Sequence, residues 1–312
     1  MAADPLRLDG GDIRRLLPPA QARLAVAAGF AALRSGAVEG PLRTAVPSPD
    51  GPTLLMPALS RRHVGLKVLH LRPGNPAKGP PAIVGEMLLW DRASGRLLAV
   101  LDGAALTAVR TAALAGHATA LLKPARTQRV GLLGAGGQAF DQALALCEAT
   151  GAEEIRLWNR TRERADALAL RLAERLRGVR VEVTATPAAA AEGAGALTTV
   201  TSSPEPLLFA RDLPAEVHLN AMGAFRPDMA ELAPEIVGGA SLVCVDDVAA
   251  AWQEAGELLQ AEALGLLRRS EVALLPERAP QRRGCTLFKS VGAAAYDLAV
   301  AQALLTAAAP GA

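Results

Sequence analysis

The chain has 312 residues, enough for about two domains with sizeable cores, and its 51% hydrophobic and 21% charged content excludes a disordered or fibrous protein. Its 33 basic residues nearly balance 31 acidic ones, a net charge of +2, which excludes the strongly basic surface of a nucleic-acid-binding protein. Aromatic residues make up only 3%, so the cores must be packed mainly from Ala, Leu and Val.

The first third of the chain is predicted to mix helices with antiparallel strands. Helical patterns cover Pro19 to Leu33 and Gly103 to Leu122, and Pro124 marks the end of the second. The apolar runs predicted as strands cover Thr53 to Met56, Gly65 to Leu71, Ile83 to Trp90 and Arg96 to Leu101. The sequence Asp91-Arg-Ala-Ser-Gly95 joins the last two runs and predicts a hairpin.

From about residue 123 to residue 290, short apolar strands alternate with helical segments. The strands are predicted over Arg129 to Leu133, Ile155 to Trp158, Val179 to Val183, Leu197 to Thr201, Val217 to Ala221 and Leu242 to Val245. Helical patterns cover Ala139 to Ala149 and Arg162 to Leu176. This alternation predicts an α/β fold with a doubly wound parallel sheet. The tail from Ser290 to Ala309 is predicted to form a helix that returns to the first domain.

A glycine-rich turn follows the first strand of this second region. The sequence Gly134-Ala-Gly136-Gly137-Gln138-Ala139 matches the dinucleotide fingerprint G-x-G-x-x-A. In that fingerprint the first glycine permits the turn, the second lets the backbone approach a pyrophosphate, and the following helix binds it with its positive end. An ordinary glycine-rich turn is the alternative, but a strand before the turn and a helix after it favour a dinucleotide site.

The tip of the second strand bears on the choice between the two nicotinamide dinucleotides. Where an NAD site has Asp or Glu for the ribose 2′-hydroxyl, this chain has Asn159-Arg160-Thr161, with Arg164 shortly after. Because an arginine fork neutralises a 2′-phosphate, NADP(H) is predicted to be preferred, with NAD(H) as the alternative. The competing interpretation makes these arginines the solvated start of a helix. We also assign to the cofactor site Arg110, Thr111, Thr201 and Met222.

Three basic residues of the first domain have apolar neighbours. Lys67 lies in the middle of an apolar strand, Arg110 lies on a helical stripe between two leucines, and Arg43 precedes the predicted strand Thr44-Ala-Val. A buried cation is costly unless it meets an anion, so three converging cations would suit a small carboxylate. Each residue alone is equally explained as a surface cation with an apolar stem. Only four of the 33 basic residues are lysines, which draws attention to Lys67.

The sequence lacks the signals of disulfide-linked, metal-binding, secreted and membrane-spanning proteins. The cysteines, Cys147, Cys244 and Cys285, form no C-x-x-C pair and have no nearby His, so neither a disulfide framework nor a metal site is predicted. The first eleven residues have no apolar core of a secretory signal, and no apolar run approaches the roughly 18 residues of a membrane span. A soluble cytoplasmic protein without membrane or nucleic-acid partners is expected.

Eight short motifs are spread in order along nearly the whole chain. They are Arg43-Thr44, Leu55-Met-Pro-Ala58, Gly65-Leu-Lys67, Asp102-Gly, Leu106-Thr-Ala-Val-Arg110-Thr111-Ala-Ala, Gly134-Ala-Gly136-Gly-Gln, Asn220-Ala-Met-Gly223 and Phe288-Lys-Ser-Val-Gly292. Together they resemble the ornithine cyclodeaminase/mu-crystallin family. The resemblance implies a homodimer with a Rossmann domain, residues 123–290, and a split α+β domain for substrate binding and dimerisation, residues 1–122 with 291–312. It also implies that Arg43, Lys67 and Arg110 hold the substrate carboxylate.

Two positions depart from the cyclodeaminase pattern. Leu54 stands where cyclodeaminases carry a Glu for the amino end of ornithine, and Phe225 stands where they carry a catalytic Asp. Loss of ammonia from ornithine needs a base and a counter-charge for the diamine, and two apolar residues supply neither. The segment from Gly223 through Glu231 is instead similar to the branch that contains mu-crystallin and Δ1-pyrroline-2-carboxylate reductase, which are ketimine reductases.

The resemblance therefore implies NAD(P)H-dependent reduction of a small cyclic imino acid, such as Δ1-pyrroline-2-carboxylate to proline or Δ1-piperideine-2-carboxylate to pipecolate. In this hypothesis Arg43, Lys67 and Arg110 bind the carboxylate, and either Lys67 or solvent protonates the ring nitrogen. Two alternatives stay open. One is a cyclodeaminase-type lyase or a related amino-acid dehydrogenase, and the other is a non-catalytic NADPH-binding or ligand-binding protein of the mu-crystallin type.

Overall fold

The structure is a computed structural model that describes residues 4–75, 79, 81–280 and 283–309. The described chain divides into two compact units. Unit 1 takes the residues up to Arg110 and those from Ala293 onward, and unit 2 takes Thr111–Gly292. The predicted boundaries, 122/123 and 290/291, differ from this division, and the first of them differs by more than three helical turns.

Unit 1 is built on a seven-stranded sheet. Its elements are β1 (Leu6–Leu8), α1 (Gly10–Leu16), α2 (Pro19–Arg34), β2 (Val38–Glu39), β3 (Thr44–Val46), β4 (Thr53–Ser60), β5 (His63–Leu71), β6 (Ile83–Asp91), β7 (Leu97–Asp102) and the first part of α3 (Gly103–Leu122). The strand order is β1-β7-β6-β5-β4-β2, and β3 also pairs with β4. Only β1 runs parallel to its neighbour, so the predicted mixture of helices and antiparallel strands is confirmed.

The predicted hairpin between β6 and β7 is present. Oδ1 of Asp91 accepts hydrogen bonds from the backbone N of Ser94 at 2.8 Å and from its hydroxyl, and Gly95 has a φ of +69°. A carboxylate at the start of a turn and a glycine in the left-handed region are what this tight connection requires. The turn therefore fixes the register between β6 and β7.

Unit 2 contains β8 (Arg129–Leu133), α4 (Ala139–Thr150), β9 (Glu154–Trp158), α5 (Arg162–Arg175), β10 (Arg180–Val183), α6 (Pro187–Ala191), β11 (Ala196–Thr199), β12 (Val217–Ala221), α7 (Pro234–Gly239), β13 (Leu242–Val245), α8 (Val248–Glu254), α9 (Gly256–Ala263), β14 (Val272–Leu274) and β15 (Cys285–Lys289). Its eight strands are all parallel, in the order β10-β9-β8-β11-β12-β15-β13-β14. The predicted doubly wound sheet is confirmed. The chain then returns to unit 1 with α10 (Ala294–Ala307).

Apolar cores cover both faces of the unit 2 sheet. Leu132 belongs to a cluster that includes Leu146 of α4 and Leu172 of α5, whereas the next residue, Leu133, belongs to a second cluster that includes Ile236 of α7. Successive residues of a strand point to opposite faces, so the two clusters lie on opposite sides of the sheet. Burial on both faces explains why the central strands β8, β12 and β13 are buried along nearly their whole length rather than at every second residue.

Helix α10 packs on α2 and on the sheet of unit 1 through small residues and the chain's single Tyr. Tyr296 is fully buried, its ring centroid is 4.7 Å from that of Phe30, and an added Cβ at Gly29 would come within 3.0 Å of it. Gly29 therefore allows a close approach that a larger side chain would obstruct. This packing places the first turn of α10 beside the central strands of unit 1.

Helix α3 is capped by Asp102, whose Oδ1 accepts from the backbone N of Ala104 and of Ala105, both at 2.9 Å. Its 20 residues are long and apolar enough for a membrane span, which corrects the expectation that no apolar run approaches that length. Because 83% of its apolar window is buried inside the protein, its composition is that of a core helix.

The division between the two units falls within α3. Its second half belongs to unit 2, where Nδ2 of Asn220 donates to Oγ1 of Thr119 at 2.8 Å.

Candidate functional site

Lys67 is a fully buried lysine in the middle of the unit 1 sheet. On β5 it pairs in register with Met56 of β4 and with Met87 of β6, both of which are also buried. Its Nζ lies 2.7 Å from Oδ2 of Asp297, an ion pair between two fully buried side chains that favours the charged form of the lysine. Asp297 is therefore the buried counter-charge of this ammonium.

Arg110 reaches the same carboxylate from α3. Its Nε donates to Oδ1 of Asp297 at 3.0 Å, and its side chain is only 6% exposed. The leucines one turn before and one turn after it, Leu106 and Leu114, are fully buried, as the predicted stripe required. One buried carboxylate thus serves two buried cations, so this cluster has an excess of positive charge when Lys67 is protonated. A bound anion would stabilise the protonated form, so the cluster suits a small carboxylate ligand.

The pKa of Lys67 is lowered to about 7, mainly because burial penalises its charged form. The nearby Asp297 opposes this shift, while the positive charges of Arg110 and Arg43 add to it. Arg43, half-buried just before β3, is therefore close enough to act on Lys67 electrostatically. A lysine of this pKa exchanges protons near neutral pH, which an ordinary lysine does not.

Sequence reasoning missed Asp297. It lies in the first turn of α10, is fully buried, and contacts both Lys67 and Arg110. It is far from both in sequence, and a single acid near the start of an alanine-rich helix resembles an ordinary helix-dipole partner. The available signal was the apolar surroundings of Asp297 in a helix whose neighbouring positions are almost all Ala, Leu or Val.

The fingerprint turn after β8 has the conformation that its sequence predicts. Gly134 has a φ of +115°, and an added Cβ would lie 2.6 Å from the backbone oxygen of Val200. Gly136 and Gly137 are exposed, and a Cβ at either would meet nothing within 4 Å. Gly134 is therefore required by the fold, whereas Gly136 and Gly137 leave space beside the start of α4, where Ala139 is fully buried. This open space fits a pyrophosphate at a helix N-terminus.

Asn159 joins the tip of β9 to the fingerprint turn. Its Oδ1 accepts from the backbone N of Ala135 at 3.0 Å, and its Nδ2 donates to the backbone O of Thr161 at 2.8 Å. Arg160 and Arg164 are exposed, and neither forms an ion pair with any residue that the structure describes. Guanidinium groups without an ion-pair partner, in the segment that follows Asn159, fit the binding of a phosphate.

The remaining predicted cofactor residues lie in or beside α3, β11 and β12. Thr201 follows β11, and both its backbone N and its hydroxyl donate to Oε1 of Glu231, at 2.6 and 2.8 Å. Met222 is buried after β12 and donates its backbone N to Thr199, and Thr111 is buried in α3. Gln138 precedes α4, and its buried Oε1 has no partner among the described residues. Sequence reasoning assigned no role to Glu231.

Leu54 and Phe225, the two residues that depart from the cyclodeaminase pattern, are both partly buried in the structure. Leu54 is half-buried on β4, where it pairs with Leu69 of β5, and Phe225 is half-buried in the loop after β12. Within the described part of the chain, no group of three or more His, Cys, Asp or Glu side chains is arranged to hold a metal. A surface cavity lined by Arg126, Glu216 and their neighbours lies at the amino ends of the strands, away from the fingerprint.

Known proteins resemble this chain over nearly its whole length. The profile of the ornithine cyclodeaminase/mu-crystallin family matches residues 12–309. Ketimine reductase mu-crystallin of Mus musculus is 37% identical over 291 residues, covering 92% of this chain and 90% of its own. A Delta(1)-pyrroline-2-carboxylate reductase of Bacillus cereus (strain ZK / E33L) is 34% identical over 276 residues, covering 85% of this chain and 84% of its own.

Solved structures agree with these sequence relatives. The Delta(1)-pyrroline-2-carboxylate reductase of Thermococcus litoralis, in complex with NADH and L-proline, has a TM-score of 0.91 and 28% identity, and 97% of each chain is covered. An archaeal alanine dehydrogenase dimer with bound NAD has a TM-score of 0.89 and 28% identity, covering 97% of this chain and 96% of its own. Both are similar to this chain across both of its units.

Proposed function

The chain belongs to the ornithine cyclodeaminase/mu-crystallin family, and from that membership we propose that it is an NAD(P)H-dependent reductase of a small cyclic ketimine monocarboxylate. The observation that carries the proposal is the buried cluster of Lys67, Arg110 and Asp297, in which one carboxylate serves two cations. Relatives named as ketimine reductase and pyrroline-2-carboxylate reductase support this reaction class.

In the proposed reaction the protein orients the imine by its carboxylate. Arg110 and Lys67 bind the carboxylate, with Arg43 adding positive charge, and this fixes the position of the adjacent C=N carbon. Lys67 then serves as proton donor to the ring nitrogen, because a protonated imine accepts hydride more readily than a neutral one. When bound, the nicotinamide supplies the hydride. Lys67 is suited to the proton transfer because its pKa is lowered to about 7.

The substrate we propose carries no second charge beyond the carboxylate. Leu54 and Phe225 occupy the positions where cyclodeaminases carry acids, so no counter-charge for a side-chain amine is present at those positions. A five- or six-membered ring such as Δ1-pyrroline-2-carboxylate or Δ1-piperideine-2-carboxylate has this character. A homodimer is proposed with it, in line with the dimeric archaeal neighbour, and a cytoplasmic location is retained as a proposal.

This function is tested by mixing the purified protein with NADPH and each of the two cyclic ketimines and following the loss of NADPH absorbance. We expect turnover with at least one ring size, because the carboxylate and the C=N group are common to both. A parallel incubation with ornithine and NAD+ measures ammonia. Release of ammonia without ketimine reduction would show a cyclodeaminase, and tight NADPH binding without any turnover would show a non-catalytic binding protein.

The proposed cofactor preference is for NADP(H). Replacing Arg160 with Ala is expected to raise the KM for NADPH by about 10- to 100-fold, because one charge-assisted contact to the 2′-phosphate is lost, and to leave the KM for NADH within about twofold. Arg162 is the matched control, since it lies in the same segment but its Nε is bound to Asp166 at 3.2 Å. An equal effect of Arg160→Ala on both cofactors, or none on NADPH, would refute this preference.

The fingerprint glycines separate folding from cofactor binding. Gly134→Ala is expected to destabilise the protein by at least about 2 kcal/mol, because its positive φ and the nearby Val200 oxygen disfavour any side chain. Gly136→Ala is expected to keep stability within about 0.5 kcal/mol but to weaken NADPH binding, because its Cβ enters the open space beside α4. Denaturant unfolding and fluorescence titration measure the two quantities. Unchanged NADPH affinity in Gly136→Ala would place the pyrophosphate elsewhere.

A further inference from the structure

We propose that Glu231 is a positioning residue for the nicotinamide end of the cofactor and acts through the segments that follow β11 and β12, an inference that rests on the proposed function. Glu231 is fully buried and lies outside the fingerprint, the strand tip and the carboxylate-binding cluster. Its carboxylate accepts five hydrogen bonds from groups at the carboxyl ends of two neighbouring strands.

The two carboxylate oxygens of Glu231 divide these bonds between them. Oε1 accepts from the backbone N of Thr201 at 2.6 Å and from its hydroxyl at 2.8 Å. Oε2 accepts from Oγ1 of Thr199 at 2.9 Å and from the backbone N of Gly223 and Ala224, at 2.7 and 3.3 Å. Each oxygen is therefore surrounded by donors, and both segments are held by one rigid group.

The order of strands in the sheet places these segments beyond the pyrophosphate. The fingerprint follows β8, the residues proposed for the ribose phosphate follow β9 on one side of β8, and β11 and β12 follow on the other side. A dinucleotide lies across the carboxyl edge of such a sheet. If its adenosine end binds at β9 and its pyrophosphate at β8, the nicotinamide end of a dinucleotide would extend toward Thr201 and Gly223.

The close fit of these segments supports a positioning role. An added Cβ at Gly223 would collide with the backbone of Thr201 and with Oε1 of Glu231, so the loops after β11 and β12 are in direct contact. Behind them, Oε1 of Glu257 accepts from the backbone N of Glu231 at 3.0 Å. Lys289, which lies 3.2 Å from Oε2 of Glu257, donates to the backbone O of Ala224 at 2.6 Å. A buried ion pair thus fixes both ends of the segment from Ala224 to Glu231.

Glutamine cannot replace Glu231 in this arrangement. In either orientation of the amide, its NH2 group faces hydrogen-bond donors, at Thr201 or at Gly223 and Ala224. Glu231→Gln should therefore displace one of the two segments while keeping the volume of the side chain. Asn159 at the tip of β9, where the adenosine end is proposed to bind, makes none of these bonds and should be unaffected.

The test compares two ligands that share the adenosine end. We expect Glu231→Gln to raise the dissociation constant for NADP+ by about 20-fold and to change that for 2′,5′-ADP by less than about twofold. Thr199→Val is a milder variant that removes one donor from Oε2, and we expect it to weaken NADP+ binding about threefold, again without an effect on 2′,5′-ADP. Glu235→Gln, an exposed glutamate of the same region, should change neither affinity.

Two outcomes would overturn the positioning role. If Glu231→Gln and Thr199→Val weaken both ligands to the same extent, Glu231 only stabilises the fold. If the two variants weaken the binding of neither ligand, the position of the nicotinamide end does not depend on the segments after β11 and β12. Failure of the proposed function is recognised separately, because the unaltered protein would then bind NADP+ or NAD+ without reducing a ketimine. If the unaltered protein binds NAD+ and not NADP+, the same comparison is made with NAD+ and 5′-AMP, and the same outcomes decide the positioning role.

Discussion

Replacing Lys67 with Met is expected to lower kcat/KM for the cyclic ketimine by about 10³-fold, because the variant loses both a proton donor and a cation beside the substrate carboxylate. Methionine has a similar length, and the residues that pair with Lys67 across the sheet are the buried Met56 and Met87, so the fold should accept it. The remaining ion pair of Arg110 with Asp297 is electrically balanced. Steady-state kinetics with each ketimine measure the effect.

Lys67 also predicts how activity depends on pH. Because its pKa is lowered to about 7, the fraction that can donate a proton falls as the pH rises above that value, so kcat/KM should decrease with a slope approaching tenfold per pH unit. In Lys67→Met this decrease should be absent.

The same shift predicts how stability depends on pH. Between about pH 7 and pH 10 the unfolded chain keeps the proton of Lys67, whereas the folded protein loses it. The contribution of Lys67 to the free energy of unfolding should therefore increase as the pH rises through this range, and denaturant unfolding measures it.

The control for this variant is Lys123→Met, which removes a half-buried lysine just after α3. It should retain the kcat/KM and the pH profile of the unaltered protein. If Lys67→Met also retained both, Lys67 would have no part in the reaction. If it lowered kcat/KM uniformly and the decrease above pH 7 persisted, Lys67 would bind the carboxylate only, and solvent would supply the proton.

Replacing Asp297 with Asn is expected to lower the free energy of unfolding by about 3–5 kcal/mol, because Arg110 would then be a buried cation without a counter-charge and Lys67 would have to lose its proton to stay buried. It should also lower the pKa of Lys67 further, since Asp297 is the charge that raises it, and so reduce kcat at neutral pH. Denaturant unfolding and the pH profile measure these two effects.

A second variant identifies the cause of this destabilisation. In the Lys67→Met background, Asp297→Asn should cost less stability than in the unaltered protein, because only Arg110 then loses its partner. Asp166→Asn, which breaks an exposed ion pair with Arg162, should change stability by less than about 0.5 kcal/mol. Equal costs of Asp297→Asn in both backgrounds would mean that Asp297 and Lys67 do not interact energetically.

Local sequence signals were sufficient to predict most helices and strands of the fold. The helix from Gly103 to Leu122 and the strand from Arg129 to Leu133 have the predicted bounds, because Asp102 caps the helix and glycine follows the strand. The alternation of strands and helices was sufficient for a parallel sheet. The order of its last strands was not predictable, since β15 inserts between β12 and β13, and nothing in a short apolar run specifies which neighbour it pairs with.

The site was predictable only where the chemistry of a residue conflicts with its local pattern. Lys67 stands out because a lysine interrupts an apolar strand, and Gly134 because a glycine-rich turn links a strand to a helix. Asp297 offers only the weaker signal of one acid in an apolar helix, and Glu231 offers none, because each acts on residues that are distant in sequence. Their roles arise from packing: α10 returns to the sheet of unit 1, and Glu231 reaches two strand ends at once.

Transfer of deuterium tests the proposed reaction most directly. The protein is incubated with Δ1-pyrroline-2-carboxylate or Δ1-piperideine-2-carboxylate and NADPH carrying deuterium at C4 of the nicotinamide, in each of its two stereochemical forms. We predict that one form gives proline or pipecolate with a single deuterium on the carbon that bears the carboxylate, and that no ammonia is released. Unlabelled product from both forms, or release of ammonia from ornithine with no reduction of either ketimine, would contradict the assignment as a ketimine reductase.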